Sequence, residues 1–111
     1  MQDPTLRNPM PVYGEELVNK PDGLYVRQYG KNYEEGYKDY KVIKVYESIT
    51  GWYWFATEAE KRSGDTIFFG YVQGDFYEWG TFSKAELDSL PGKVWEVDSE
   101  HWSYTGKRGL F

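Results

Sequence analysis

His101 is the only histidine of the chain, and cysteine is absent. Any reactive centre would therefore have to be built from one imidazole, hydroxyls and carboxylates. General acid–base catalysis needs an imidazole held against an orienting partner. Ser103 lies close to His101 in sequence, but adjacency does not by itself give triad geometry. A structural or solvent-facing histidine is the simpler reading. Without thiolates or a second histidine, only all-oxygen sites of the magnesium or calcium kind remain open. Asp75 with Glu78, and Asp98 with Glu100, are the pairs to weigh. Neither matches a cation-binding loop, so both read as exposed carboxylates. The sequence thus points to no catalytic residue, no metal and no cofactor.

Glu58 is the more interesting carboxylate, because it closes an aromatic run. It would sit at the mouth of an aromatic cleft, or it would be a strand-end charge paired with Lys61, Arg62 or a lysine of residues 41–49; the ion pair is the favoured reading. Gly106-Lys107-Arg108-Gly109 is basic but lacks phosphate-loop spacing and a strand-to-helix context. The remaining functional candidates are aromatic. Tyrosines recur at 25, 29, 33, 37 and 40, and tyrosine supplies contact area at low entropic cost. Trp52 and Trp54 share one face of an expected strand, and indoles at strand spacing are usually core. Burying Trp52, Trp54, Trp79 and Trp95 together would ask for four N–H partners, so one or two are expected at the surface as binding groups. The candidate binding set is Tyr29, Tyr33, Tyr37, Tyr40, Trp52, Trp54 and Glu58.

The 111 residues fit a single domain. Residues 1–23 should form an irregular arm, 24–98 the core and 99–111 a tail anchored in part by Trp102, Tyr104 and Phe111. Five tryptophans, eleven tyrosines and six phenylalanines make up a fifth of the chain, enough apolar surface for a core without disulfides. A net charge of -5, spread along the chain, argues against non-specific nucleic-acid binding. It also lacks the dense carboxylate runs of a DNA mimic. No apolar run reaches the roughly 20 residues of a membrane helix, and the start of the chain resembles no signal peptide. The expectation is a cytoplasmic protein.

The elements that must position these residues follow from pattern. Proline and glycine punctuate residues 1–23, with room for one helical turn at Glu15 to Asn19. Strands are expected at Leu24 to Tyr29, after the tyrosine-rich loop, at Lys41 to Ile49, Trp52 to Thr57, Thr66 to Gln73 and Phe76 to Phe82, with a last one at Val94 to Val97. Trp52, Trp54 and Ala56 should share one face and Tyr53, Phe55 and Thr57 the other. Ala59 to Asp65 reads as a loop. Gly70 marks a bulge or a close approach, and Gly74-Asp75 a turn needing positive φ. Ser83-Lys84-Ala85-Glu86 is a capping-box pattern. It should open a helix over Lys84 to Leu90, with Ala85 or Glu86, Leu87 and Leu90 inward and Pro91-Gly92 as the stop. The fold class expected is α+β: an antiparallel meander of four to six strands with one short capped helix against it.

The runs Gly51-Trp-Tyr-Trp-Phe-Ala-Thr-Glu58, Gly64-Asp-Thr-Ile-Phe-Phe-Gly-Tyr-Val72 and Glu78-Trp-Gly-Thr-Phe-Ser-Lys-Ala-Glu-Leu87 together resemble a small family of unknown function carried by plasmids, phages and integrative elements. The likeness covers residues 42–98, with the tyrosine-rich segment as an apparent insertion. It implies a mobile-element protein and brings no catalytic residues. The expected function is non-catalytic binding of a host or element protein, with antagonism of a host defence or nucleic-acid-processing complex as the role the context suggests. The alternative is a small-molecule or carbohydrate-binding module using the aromatic strand 52–55 as a stacking floor; an enzyme using Glu58 and Glu78 is the third option. A pocket of several hundred Å³ beside Trp54 would favour the small-molecule module, and a flat tyrosine face would favour protein binding.

Overall fold

The computed structural model describes residues 24–29 and 36–106. The N-terminal arm, Tyr33 and the stretch from Lys107 onwards lie outside them. Among the described residues there are seven strands in two antiparallel sheets. Strands β1 (Tyr25–Tyr29) and β2 (Tyr37–Lys41) pair with each other. Strands β3 (Lys44–Ser48), β4 (Tyr53–Arg62), β5 (Asp65–Gln73) and β6 (Tyr77–Ser83) form a meander. The chain then passes through helix α1 (Lys84–Ser89), and β7 (Val94–Glu96) returns beside β3, giving the order β6-β5-β4-β3-β7. The fold is α+β, an antiparallel meander with one short capped helix.

Alternation along β4 explains the layers. Tyr53 and Phe55 point to one face of the large sheet, Trp54 and Ala56 to the other. Phe55 packs with Val45, Tyr71 and Val97 under Leu24, Val26 and Val42, which the two-stranded sheet brings over that face. Trp54 packs with Tyr46, Phe68 and Phe82 under Leu87 of α1. Both faces of the central strand are therefore covered, each by a different element.

The expected strand over Lys41 to Ile49 is broken. Val42 and Ile43 form the corner at which the chain leaves the small sheet for the large one. Val42 is buried and its amide donates to the Leu24 carbonyl (2.8 Å), while the Ile43 amide donates to Ala56 (2.8 Å). One residue thus closes the hairpin and the next begins the new ladder. The expected loop over Ala59 to Asp65 is also corrected: β4 continues to Arg62 and pairs with β5 to its end. Only Ser63 and Gly64 turn, with φ of 51° and 82°, the doubly positive geometry that suits a two-residue hairpin.

Gly70 is a close approach. A Cβ there would come within 2.8 Å of the Phe55 carbonyl carbon. The bulge sits on the facing strand instead, where the β4–β5 register shifts between Ala56 and Glu58 and the Thr57 hydroxyl donates to the Phe69 carbonyl (3.1 Å). Gly74 does not adopt positive φ. Its missing side chain makes room for the Trp52 ring, which a Cβ would strike.

Ser83 caps α1, its Oγ accepting from the Glu86 amide at 3.0 Å. Leu87 is buried, but Ala85, Glu86 and Leu90 are exposed, so the inner face is narrower than expected. Gly92, with φ of 84°, follows the helix end. Ser99–Tyr104 is a 3-10 helix, with Trp102 Nε1 donating to the Val97 carbonyl (2.9 Å).

Two outcomes test this account in denaturant melts. Ser83→Ala should lower stability by about 0.5–2 kcal/mol, the usual cost of losing an N-cap. Gly70→Ala should cost about 3 kcal/mol or more, because the added methyl meets backbone that cannot swing aside.

Candidate functional site

The local sequence around Ser48 builds one wall of a pocket. Ile49 and Thr50 turn the chain, and Gly51 supplies φ of 85°. The Ser48 and Thr50 hydroxyls share a hydrogen bond of 2.7 Å, and the Ser48 Oγ accepts from the Trp52 amide at 3.1 Å. The turn thus fixes where Trp52 leaves it. Trp52 lies over Gly74 on one side and packs against Trp54 on the other, with ring centroids 5.9 Å apart.

Across from these indoles, α1 covers only part of the sheet. The gap between the helix end and the β3–β4 turn is a cavity of about 330 Å³. Trp52, Trp54 and Phe82 line it from the sheet, and Leu87, Leu90 and Pro91 from the helix and its end. Its polar lining comes from Ser48, Thr50 and Glu86. Leu90 of its lining is 39% accessible, and Ile49, near Gly92, is 67% accessible. A concave, apolar site of this size with a few polar groups suits a small organic ligand.

The structure divides the sequence-derived candidates between two faces. Trp52 and Trp54 meet in this pocket. Tyr40 lies on the opposite face, its ring 5.1 Å from that of Trp79 with the Lys38 ammonium 4.8 Å from its own centroid. Tyr29 and Tyr37 are paired residues of β1 and β2, and Tyr33 falls outside the described residues. Glu58 is exposed on β4, is not part of the pocket wall, and makes no ion pair among the described residues. Arg62, one of its expected partners, pairs with Glu60 at 2.7 Å. The pocket residues missed by sequence reasoning are Ser48, Thr50, Phe82, Glu86, Leu87, Leu90 and Pro91. The capping-box pattern identified Glu86 as a helix residue, but nothing local placed it beside the indoles.

A second cleft, of about 400 Å³, lies between β3, β7 and the 3-10 helix. His101 lines it together with Tyr53, Trp95 and the carboxylate residues Glu47, Glu96 and Asp98. The His101 Nε2 is 3.4 Å from the Glu100 carboxylate. Lys44 lies 3.6 Å from Glu96. No cluster of side chains arranged to hold a metal ion occurs among the described residues.

The titratable groups that burial perturbs are tyrosines. Burial pushes the Tyr71 phenol far above its ordinary range and also raises Tyr46, Tyr53 and Tyr77. The Glu47 carboxylate adds to the effect at Tyr53. A phenol whose folded-state value is raised favours the neutral form. Its contribution to stability is complete below the unfolded value of about 10 and is lost as pH rises towards the folded one. Urea melts at increasing pH should therefore show constant stability up to about pH 9 and a fall above about pH 10. Tyr71→Phe should fall less steeply, because it removes the most strongly shifted group.

Comparison of the chain with protein-family models, curated proteins and solved structures finds no match. Among the described residues, no helix is long and apolar enough to cross a membrane.

Proposed function

We propose that this protein is a non-catalytic binding module that holds a small, largely apolar ligand in the pocket beside Trp52 and Trp54. The observation that carries the reading is the apolar pocket itself, which the partly exposed Trp52 and the largely buried Trp54 line together. The six-residue helix α1 leaves indole surface facing a cavity of about 330 Å³. Two features favour a preformed site. Trp52 is held between Gly74 and Trp54, and the turn that presents it is closed by side-chain and backbone hydrogen bonds. A wall that needs no reordering on binding carries a smaller entropic cost.

Protein binding is the second reading, favoured by the exposed Leu90 of the pocket and the exposed Ile49 near Gly92. In that case the pocket would accept an apolar side chain of a host or element protein. The likeness of residues 42–98 to a plasmid- and phage-borne family is the basis for suggesting a cytoplasmic role against a host defence or nucleic-acid-processing complex.

Screening a fragment library by NMR separates these readings. Apolar fragments should move the indole N–H signals of Trp52 and Trp54, and Trp52→Ala should weaken them by about tenfold, in line with loss of an aromatic contact worth about 1–2 kcal/mol. Fragments that shift no signal in this pocket would reject the small-ligand reading. Capture of a host protein whose footprint covers Ile49 and Leu90 would support the second.

A further inference from the structure

We infer that the ligand of this pocket is an organic amine: a compact apolar body bearing one ammonium group. The inference rests on the proposed small-ligand function and names the chemical class. It follows from an inventory of the polar lining. Ser48 and Thr50 bond to each other, and Ser48 also accepts from the Trp52 amide. These hydroxyls help shape the turn, and being neutral they give no preference for a charged ligand group. Glu86 is the charged residue of the lining, and its carboxylate makes no hydrogen bond or ion pair among the described residues. Only its backbone amide is engaged, by Ser83. The nearest helix cation in sequence, Lys84, is paired with Asp88 on the following turn.

A ligand that buries its apolar body against Trp52, Trp54 and Phe82 must leave its polar end at the mouth. There it meets an acceptor carrying negative charge. An ammonium satisfies that carboxylate with a charge-assisted hydrogen bond, and indole faces beside it add attraction for a cation. A carboxylate or phosphate on the ligand would face Glu86 directly, within a chain whose net charge is -5. A neutral alcohol would bind through its body alone, plus one ordinary hydrogen bond.

A matched series tests this: 4-phenylbutylammonium, 4-phenylbutanol and 4-phenylbutyrate, titrated into the full chain and into Glu86→Gln. The readout is the shift of the Trp52 and Trp54 indole N–H signals. The amine should bind about three- to tenfold more tightly than the alcohol, the acid most weakly. In Glu86→Gln the amine should lose its advantage over the alcohol, because glutamine keeps the shape and a hydrogen-bond acceptor but not the charge. Equal binding of all three, tighter binding of the acid, or an amine preference that survives Glu86→Gln would overturn the amine inference and leave the pocket reading intact. No binding by any of the three, with no fragment hit at the indoles, would overturn both.

Discussion

A strand that is apolar on both sides must be covered on both sides, and β4 imposes that constraint on the whole chain. Trp54 and Phe55 are adjacent in sequence and both are almost fully buried, facing opposite ways. One layer of additional structure could not serve both. The chain meets the demand with two different covers. The hairpin of β1 and β2 closes the Phe55 side. Helix α1 closes part of the Trp54 side. Gly70 then lets β5 lie tightly against the β4 backbone, so the central pair has no slack to absorb a poor fit on either face. Interiors packed at that density respond to single added methyl groups.

The two covers are unequal, and the inequality creates the site. The hairpin side is well closed: Leu24, Val26 and Val42 insert into the core, and Arg27 pairs with Asp39 at 3.1 Å with both side chains largely buried. Helix α1 has six residues, of which Leu87 alone is buried. It cannot reach the β3–β4 turn, and the indoles of Trp52 and Trp54 form the floor of the gap. Tyr25 packs against the core and Tyr40 against Trp79, so these two tyrosines are partly used in packing.

Much of this was legible in the residues. The alternation of Trp52 to Ala56 placed aromatics on two faces, the serine–glutamate spacing located the helix start, and Gly70 marked a close approach. The failures have physical causes. Ala59 to Arg62 carries charges on both faces because β4 runs beyond the covered layers, and charged residues without apolar alternation give no strand signal. Val42 and Ile43 look like continuous strand, since β-branched residues suit a corner that keeps extended backbone as well as a ladder. Gly74 was expected to serve a turn by its φ, but the constraint is the Trp52 ring packed above it, a tertiary contact. Leu90 fits the helical period, yet the helix ends before it and it stays half exposed. The pocket itself could not be read from the sequence. It depends on the distance between the helix end and a turn formed nearly forty residues earlier, which no local pattern encodes.

Leaving indole surface open has a cost, since apolar area kept in water forgoes roughly 25 cal/mol per Å². A longer helix would recover part of that. Here the chain instead stops α1 short and returns to the sheet at Lys93, while the glycine at position 74 leaves room for the Trp52 ring. A partly exposed Trp52 that is braced in this way is poorly explained as a packing defect, because a defect would relax by letting Trp52 move. Gly74 and the Ser48–Thr50 pair hold it in place. The arrangement is what a preorganised apolar site requires, and it concentrates the choice of ligand in the one carboxylate residue of the lining, Glu86.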